Sequence, residues 1–220
     1  MRKFILLAVA AVTLMASDCN HDAPDQTDTL NAYFLTDNVW TITGDLIDGG
    51  GTATQTWSDA VVIAEALGKT TFNGGDWDGP FYADWFDNPG YGTLFSFEAV
   101  KEYQDQLCPG DWCVPSVVDF QFLDRALGGT GTGRQYSQTL VENYLNQWGG
   151  TYGGLCYDGE FRLLIEGKSG VYWSSTEFNP KAAHGLFFVM SDSEETVYAH
   201  DPTEEFMKYV GSQLRCVKWE

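Results

Sequence analysis

Cys108-Pro109-Gly110-Asp111-Trp112-Cys113-Val114-Pro115-Ser116 is the stretch on which the reading of this chain turns. A Cys-Pro-Gly turn running into Trp and Pro makes a rigid entry to a core. Ser116 with Asp119 three residues on has the form of a capping box, which predicts a helix through Leu127 stopped by Gly128-Gly129. Upstream, Ser96 is placed to cap a helix over Phe97–Gln106 that delivers the chain to Cys108. Two later segments answer this one: Gly170-Val171-Tyr172-Trp173-Ser174-Ser175-Thr176-Glu177, and Gln213-Leu214-Arg215-Cys216-Val217-Lys218. A cysteine in a short apolar strand so far downstream is a natural mate for one of the two thiols of the turn.

Outward from there, the 220 residues suit one domain behind a leader. Arg2 and Lys3 precede an apolar run from Phe4 to Met15, then Ala16-Ser17-Asp18-Cys19. Residues 1–18 read as a secretory signal, and Cys19 stands where bacterial lipoprotein precursors carry the lipidated cysteine. Residues 19–30 read as an acidic tether without apolar periodicity, and 31–220 as the domain. The net charge is −19, and the leader removes Arg2 and Lys3 against Asp18 alone, so the mature chain is more acidic still. Such a charge argues against nucleic acid and anionic headgroups as partners, leaving an N-terminal lipid as the expected membrane contact.

Along the domain, Val39-Trp40-Thr41-Ile42 looks stranded and Gly49-Gly50-Gly51 breaks the pattern. Ser58 followed by Ala60, Ile63, Ala64 and Leu67 predicts a helix over Asp59–Leu67. Thr139 and Glu142 predict a second capped helix ending at Trp148-Gly149-Gly150. Strands are expected over Phe161–Glu166, Val171–Thr176, Leu186–Ser191, Thr196–Ala199 and Gln213–Lys218, with a hairpin turn at Ser191–Glu195. Helices early and antiparallel strands late predict an α+β fold with helices on one side of a sheet.

Asn73–Gly92 carries Trp77, Phe81, Tyr82, Trp85, Phe86 and Tyr91 among Gly, Asp and Pro, with no basic residue. It reads as an ordered loop region. Trp and Tyr faces stack on sugar C–H surfaces while neighbouring carboxylates and amides take hydroxyl hydrogen bonds. Trp77, Tyr82, Trp85, Tyr91 and, in the Phe178–His184 loop, Asn179 are therefore the candidate ligand-binding residues. Asp76, Asp78, Asp84 and Asp87 fit no EF-hand spacing. His184 and His200 are lone histidines, and no nucleophile–base pair emerges, so no metal, cofactor or catalytic residue is expected.

Four ordered motifs resemble the Fibrobacter succinogenes major paralogous domain family. They are Leu94-Phe95-Ser96-Phe97-Glu98-Ala99, the Cys108–Ser116 turn, Tyr172-Trp173-Ser174-Ser175-Thr176-Glu177 and Arg215-Cys216-Val217-Lys218, spread over roughly residues 90–220. The resemblance implies a C-type-lectin-like fold, helices on a small twisted antiparallel sheet, with a Cys108–Cys216 disulfide. Cys113 and Cys156 depart from the family pattern and suggest a second, local bridge between them. The family implies secretion or lipid anchoring on the envelope of a Bacteroidetes–Fibrobacter bacterium. Glu177-Phe178-Asn179-Pro180 rearranges the sugar-calcium motif of C-type lectins, so that site is not carried over. The functional expectation is a non-catalytic, surface-displayed module binding glycan. A structural subunit of a fimbria or adhesin assembly comes second. An enzyme of formylglycine-generating type comes third, since no His lies near Cys108, Cys113 or Cys216 in sequence.

Overall fold

The computed structural model describes residues 39–46, 49–60, 71–88, 90–157, 162–164, 167–192 and 196–220. The leader, Cys19 and the tether lie outside the described residues, as does most of the helix expected over Asp59–Leu67. Strands β1 (Val39–Asp45) and β2 (Thr52–Asp59) form a hairpin, extended by β11 (Arg215–Trp219) on the far side of β2. A second sheet runs β3 (Trp85–Asn88), β4 (Gly92–Ser96), β10 (Gly211–Ser212), β5 (Leu155–Tyr157) and β6 (Arg162–Leu164). The third is a meander of β7 (Ser169–Asn179), β8 (Ala182–Asp192) and β9 (Thr196–Met207). Four short helices complete the described elements: α1 (Phe97–Glu102), α2 (Gln104–Leu107), α3 (Val117–Ala126) and α4 (Gln138–Asn146).

Three antiparallel sheets with few helices overturn the α+β expectation and the implied C-type-lectin-like arrangement of helices on one small sheet. Ser58, expected to cap a helix, is instead a buried strand residue paired with Val39 and Cys216. Asn73–Gly92, expected as a loop, holds β3 and the turn into β4. The strand expected over Thr196–Ala199 runs on to Met207 through Pro202. A bulge makes room for that proline: Gly185 pairs with Glu204 and Phe187 with Asp201, so Pro202 and Thr203 together oppose the single residue Leu186. An unpaired position at a bulge needs no ladder N–H, which is where proline is tolerated in a sheet.

The local helix signals hold. Ser116 Oγ accepts from Asp119 N while Asp119 Oδ2 accepts from Ser116 N at 2.6 Å, the reciprocal capping box. Gly128 past the helix end takes φ +103°, a backbone conformation that side chains with a Cβ disfavour. Helix α4 is capped by Ser137, whose Oγ accepts from Leu140 N, two residues before the expected Thr139.

Between the sheets lie two apolar clusters. One gathers Phe95, Phe97, Val100, Leu107, Trp173 and Leu214 around the disulfide Cys108–Cys216. The other packs α3 and α4 against β1, β2, β8 and β11 through Trp57, Phe120, Tyr144, Trp148, Tyr172 and Phe188. Each such aromatic contributes about 1.5–3 kcal/mol by leaving water. Cys113 is disulfide-bonded, but not to Cys156, correcting the expected local bridge. Cys156 sits in β5 opposite Gly211 and against Phe72, Phe86 and Leu94, whereas Cys113 pairs through its backbone with Val217 of β11, in a different sheet. Burial pushes the Cys156 thiol up to about 12.

Candidate functional site

The residues that carried the sequence motifs are consumed by packing. Trp173 is fully buried and its Nε1 donates to the Phe95 carbonyl at 2.7 Å, tying β7 to β4. Ser174 Oγ donates to the His184 carbonyl at 2.7 Å, Ser175 N donates to the Pro115 carbonyl, and Thr176 Oγ1 accepts from Val117 N. The Tyr-Trp-Ser-Ser-Thr run is thus the clamp that holds the Cys108–Ser116 turn against the third sheet. Arg215 is buried, with its guanidinium on Asp59, on the Trp148 and Gly149 carbonyls, and between the Trp40 and Trp148 rings. Trp173, Ser174 and Arg215 are fully enclosed, whereas Ser175 is exposed.

Glu177 closes the motif and works differently. Its carboxylate receives Lys101 of α1 and Lys208 at 2.9 Å each, beside a groove of about 80 Å³ floored by Phe97, Val100 and Val114. The Lys208 ammonium is 4% exposed and lies 5.2 Å from the centre of the Phe97 ring, so Glu177 is the anion that neutralises it. Hydrogen bonds from Lys101 and then Lys208 hold the Glu177 carboxyl below its ordinary range. A carboxyl depressed in the folded state stabilises fully above its unfolded value of about 4.3, and that contribution is lost as pH falls through the folded value. Glu177→Gln is therefore expected to destabilise the protein at pH 7 by about 1–3 kcal/mol, less than for a wholly buried pair because Glu177 is half exposed. The gap between variant and wild type in urea unfolding should narrow as pH drops through the acid range. A gap of constant size down to pH 3, set as about one unit below the unfolded value, contradicts the pairing.

A second buried polar cluster surrounds Asp124 of α3. His200 Nε2 lies 3.0 Å from its Oδ1, Tyr144 donates to the same oxygen at 2.7 Å, and Gly131 N donates to Oδ2 at 2.6 Å. Burial pushes this carboxyl up, but the hydrogen bonds from His200, Tyr144 and Gly131 outweigh it and hold it below its ordinary value. Asp124 and His200 are both fully enclosed, so the cluster fastens α3, α4 and β9 together without access for a substrate. His184 stands apart from it, half-buried, with Nδ1 3.0 Å from the Thr203 carbonyl. Among the described residues no group of three or more His, Cys, Asp or Glu is placed to hold a metal ion.

Exposed aromatics stand on the 73–92 segment and at the end of β7, with Tyr136, 72% exposed, apart from both. Trp77 is 59% exposed, Tyr82 47% and, at that strand end, Phe178 50%. Trp85 and Tyr91 are half-buried: Trp85 meets Tyr103 edge-on at 6.0 Å, and the Tyr91 carbonyl accepts from Gln213 Nε2 at 3.1 Å. The Trp77 loop is braced at its base: Gly75 and Phe81 pair across it, and the Trp77 ring rests 6.4 Å from that of Tyr209. Asp78 carries an ion pair with Lys181, whose own backbone N–H donates to Asn179 Oδ1 at 2.8 Å. The candidate residues Trp77 and Asn179, a hundred positions apart, are thereby joined on one surface through Asp78 and Lys181. Phe178 and Lys181 of this surface were not among the sequence candidates; the Asn179-Pro180 turn signal marks their position, but no pattern in sequence links them to Trp77.

The chain was compared with protein-family models, with curated proteins and with solved structures, and none of the three comparisons found a match.

Proposed function

We propose that this chain is a non-catalytic binding module that recognises glycan through the surface around Trp77. The observation that carries the reading is a large indole held out to solvent by a braced loop. Ordering a tryptophan face in advance lowers the entropy lost on binding, and the flat C–H face of a pyranose is its natural complement. Asp78, Lys181 and Asn179 beside it supply acceptors and donors for sugar hydroxyls. The leader pattern and the Cys108–Cys216 disulfide favour an oxidising, extracytoplasmic setting.

Binding of the mature chain to a broad panel of glycans tests this directly. Trp77→Ala is expected to abolish or weaken the hit by about tenfold or more while leaving the unfolding temperature unchanged, since the ring is largely exposed. EDTA should have no effect, because Asp78 is already paired with Lys181. A blank across the panel, or a hit indifferent to Trp77, refutes the reading.

A further inference from the structure

The bridge between Asp78 and Lys181 joins two aromatic platforms. Trp77 immediately precedes Asp78, and Phe178 immediately precedes Asn179. Lys181 holds both neighbours, Asp78 through its ammonium and Asn179 through its backbone N–H. Asn179 Oδ1 accepts a second bond, from Ala182 N at 2.9 Å, which fixes the turn. The Phe178 ring meets His184 edge-on at 5.4 Å, and the Trp77 ring lies tilted against Tyr209 at 6.4 Å. Two exposed rings on different segments thus each adjoin one member of a connected set of polar groups: carboxylate, ammonium and amide.

From this arrangement we infer that the surface is a two-subsite site for an internal stretch of a neutral, linear polysaccharide. The inference rests on the glycan reading of Trp77. One sugar ring covers one aromatic face, so only a chain engages both. Both platforms are exposed by half or more, which suits an internal stretch of a chain. The charge pattern selects the class. Lys181 is neutralised by Asp78, Asp76 stands exposed beside Trp77, and the chain as a whole carries −19. A polyanion such as a uronate or sulfated polymer meets repulsion from these carboxylates, whereas neutral hydroxyls find both donors and acceptors.

The test is native affinity electrophoresis of the mature chain through gels containing hydroxyethylcellulose, galactomannan, starch or polygalacturonate. Expected is retardation by at least one neutral polymer and none by polygalacturonate. Trp77→Ala and Phe178→Ala should each weaken the neutral hit about tenfold. A hexasaccharide of the retarding polymer should compete where its monosaccharide does not. If retardation depends on Trp77 but is unchanged in Phe178→Ala, the two-subsite inference falls and the glycan reading stands. Trp77-dependent retardation by polygalacturonate overturns the neutral class alone. With no retardation by any of the four polymers, the inference falls; the broad glycan panel then decides separately whether the Trp77 reading falls too.

Discussion

Arg215→Ala is expected to destabilise the protein by about 4–6 kcal/mol, enough to unfold a domain of ordinary stability. Arg215 is fully buried yet positively charged, and everything around it is arranged for a planar cation. Its Nε donates to Asp59 Oδ1 at 2.8 Å and Nη2 to the Gly149 carbonyl at 2.9 Å, while Nη1 takes the Trp148 carbonyl. Trp40 lies 4.1 Å from the guanidinium carbon and Trp148 4.4 Å, a stacking worth about 0.5–2 kcal/mol per ring. Removing the side chain strands two carbonyls at about 1–3 kcal/mol each and leaves a cavity among aromatic rings. Gly149 belongs to the same assembly, since a Cβ there would stand 2.0 Å from the Trp40 ring. Arg215→Lys keeps the charge but not the fork or the stack, and should recover less than half of the loss. Urea unfolding followed by tryptophan fluorescence reads both variants. A loss below about 1 kcal/mol for Arg215→Ala, the level of an exposed pair, contradicts this account.

Second in size is the disulfide. Cys108 and Cys216 are 108 residues apart, and opening that loop releases chain entropy worth about 4.7 kcal/mol in the unfolded state. Cys108→Ala/Cys216→Ala should lower stability by about 4–5 kcal/mol. Alkylation and peptide mapping of the oxidised protein should label Cys156 only after unfolding, since it is a buried thiol, and never show a Cys113–Cys156 peptide pair. Finding that pair would overturn the assignment.

What was legible in the sequence is what is local. The Ser96 cap, the Ser116–Asp119 box and the stop at Gly128 depend on residues within four positions of each other, and all three stand in the structure. Cys108–Cys216 was legible only through a resemblance of motifs. Strand β2 was not legible, because it buries polar residues on both faces around Trp57. Gln55, Thr56 and Ser58 are buried, and Gln55 is satisfied by Asp119 and by the Trp57 indole, partners that no periodicity announces. Helical spacing after Ser58 then won the reading by default. The run of β9 through Pro202 depended on a bulge facing another strand, again a non-local fact. At the candidate surface, exposed aromatics could be guessed from composition, but which of six faces solvent depended on packing. Trp85 and Trp77, eight residues apart, went opposite ways.

Strands β10 and β11 have a consequence for the order of events during synthesis. Gly211 and Ser212 join the β3–β4 hairpin to the β5–β6 hairpin by strand pairing, and β11 adds the third strand of the first sheet by pairing Arg215 with Asp59. At about 5–20 residues per second on the ribosome, β2 and β4 wait many seconds for partners more than a hundred residues downstream. The β7–β9 meander and the two helices packed on it are complete before then. The chain therefore carries its early strands with open edges through most of its emergence and closes two of its three sheets in one late step. Contacts so distant in sequence also make that step slow, because loop closure precedes any gain from pairing.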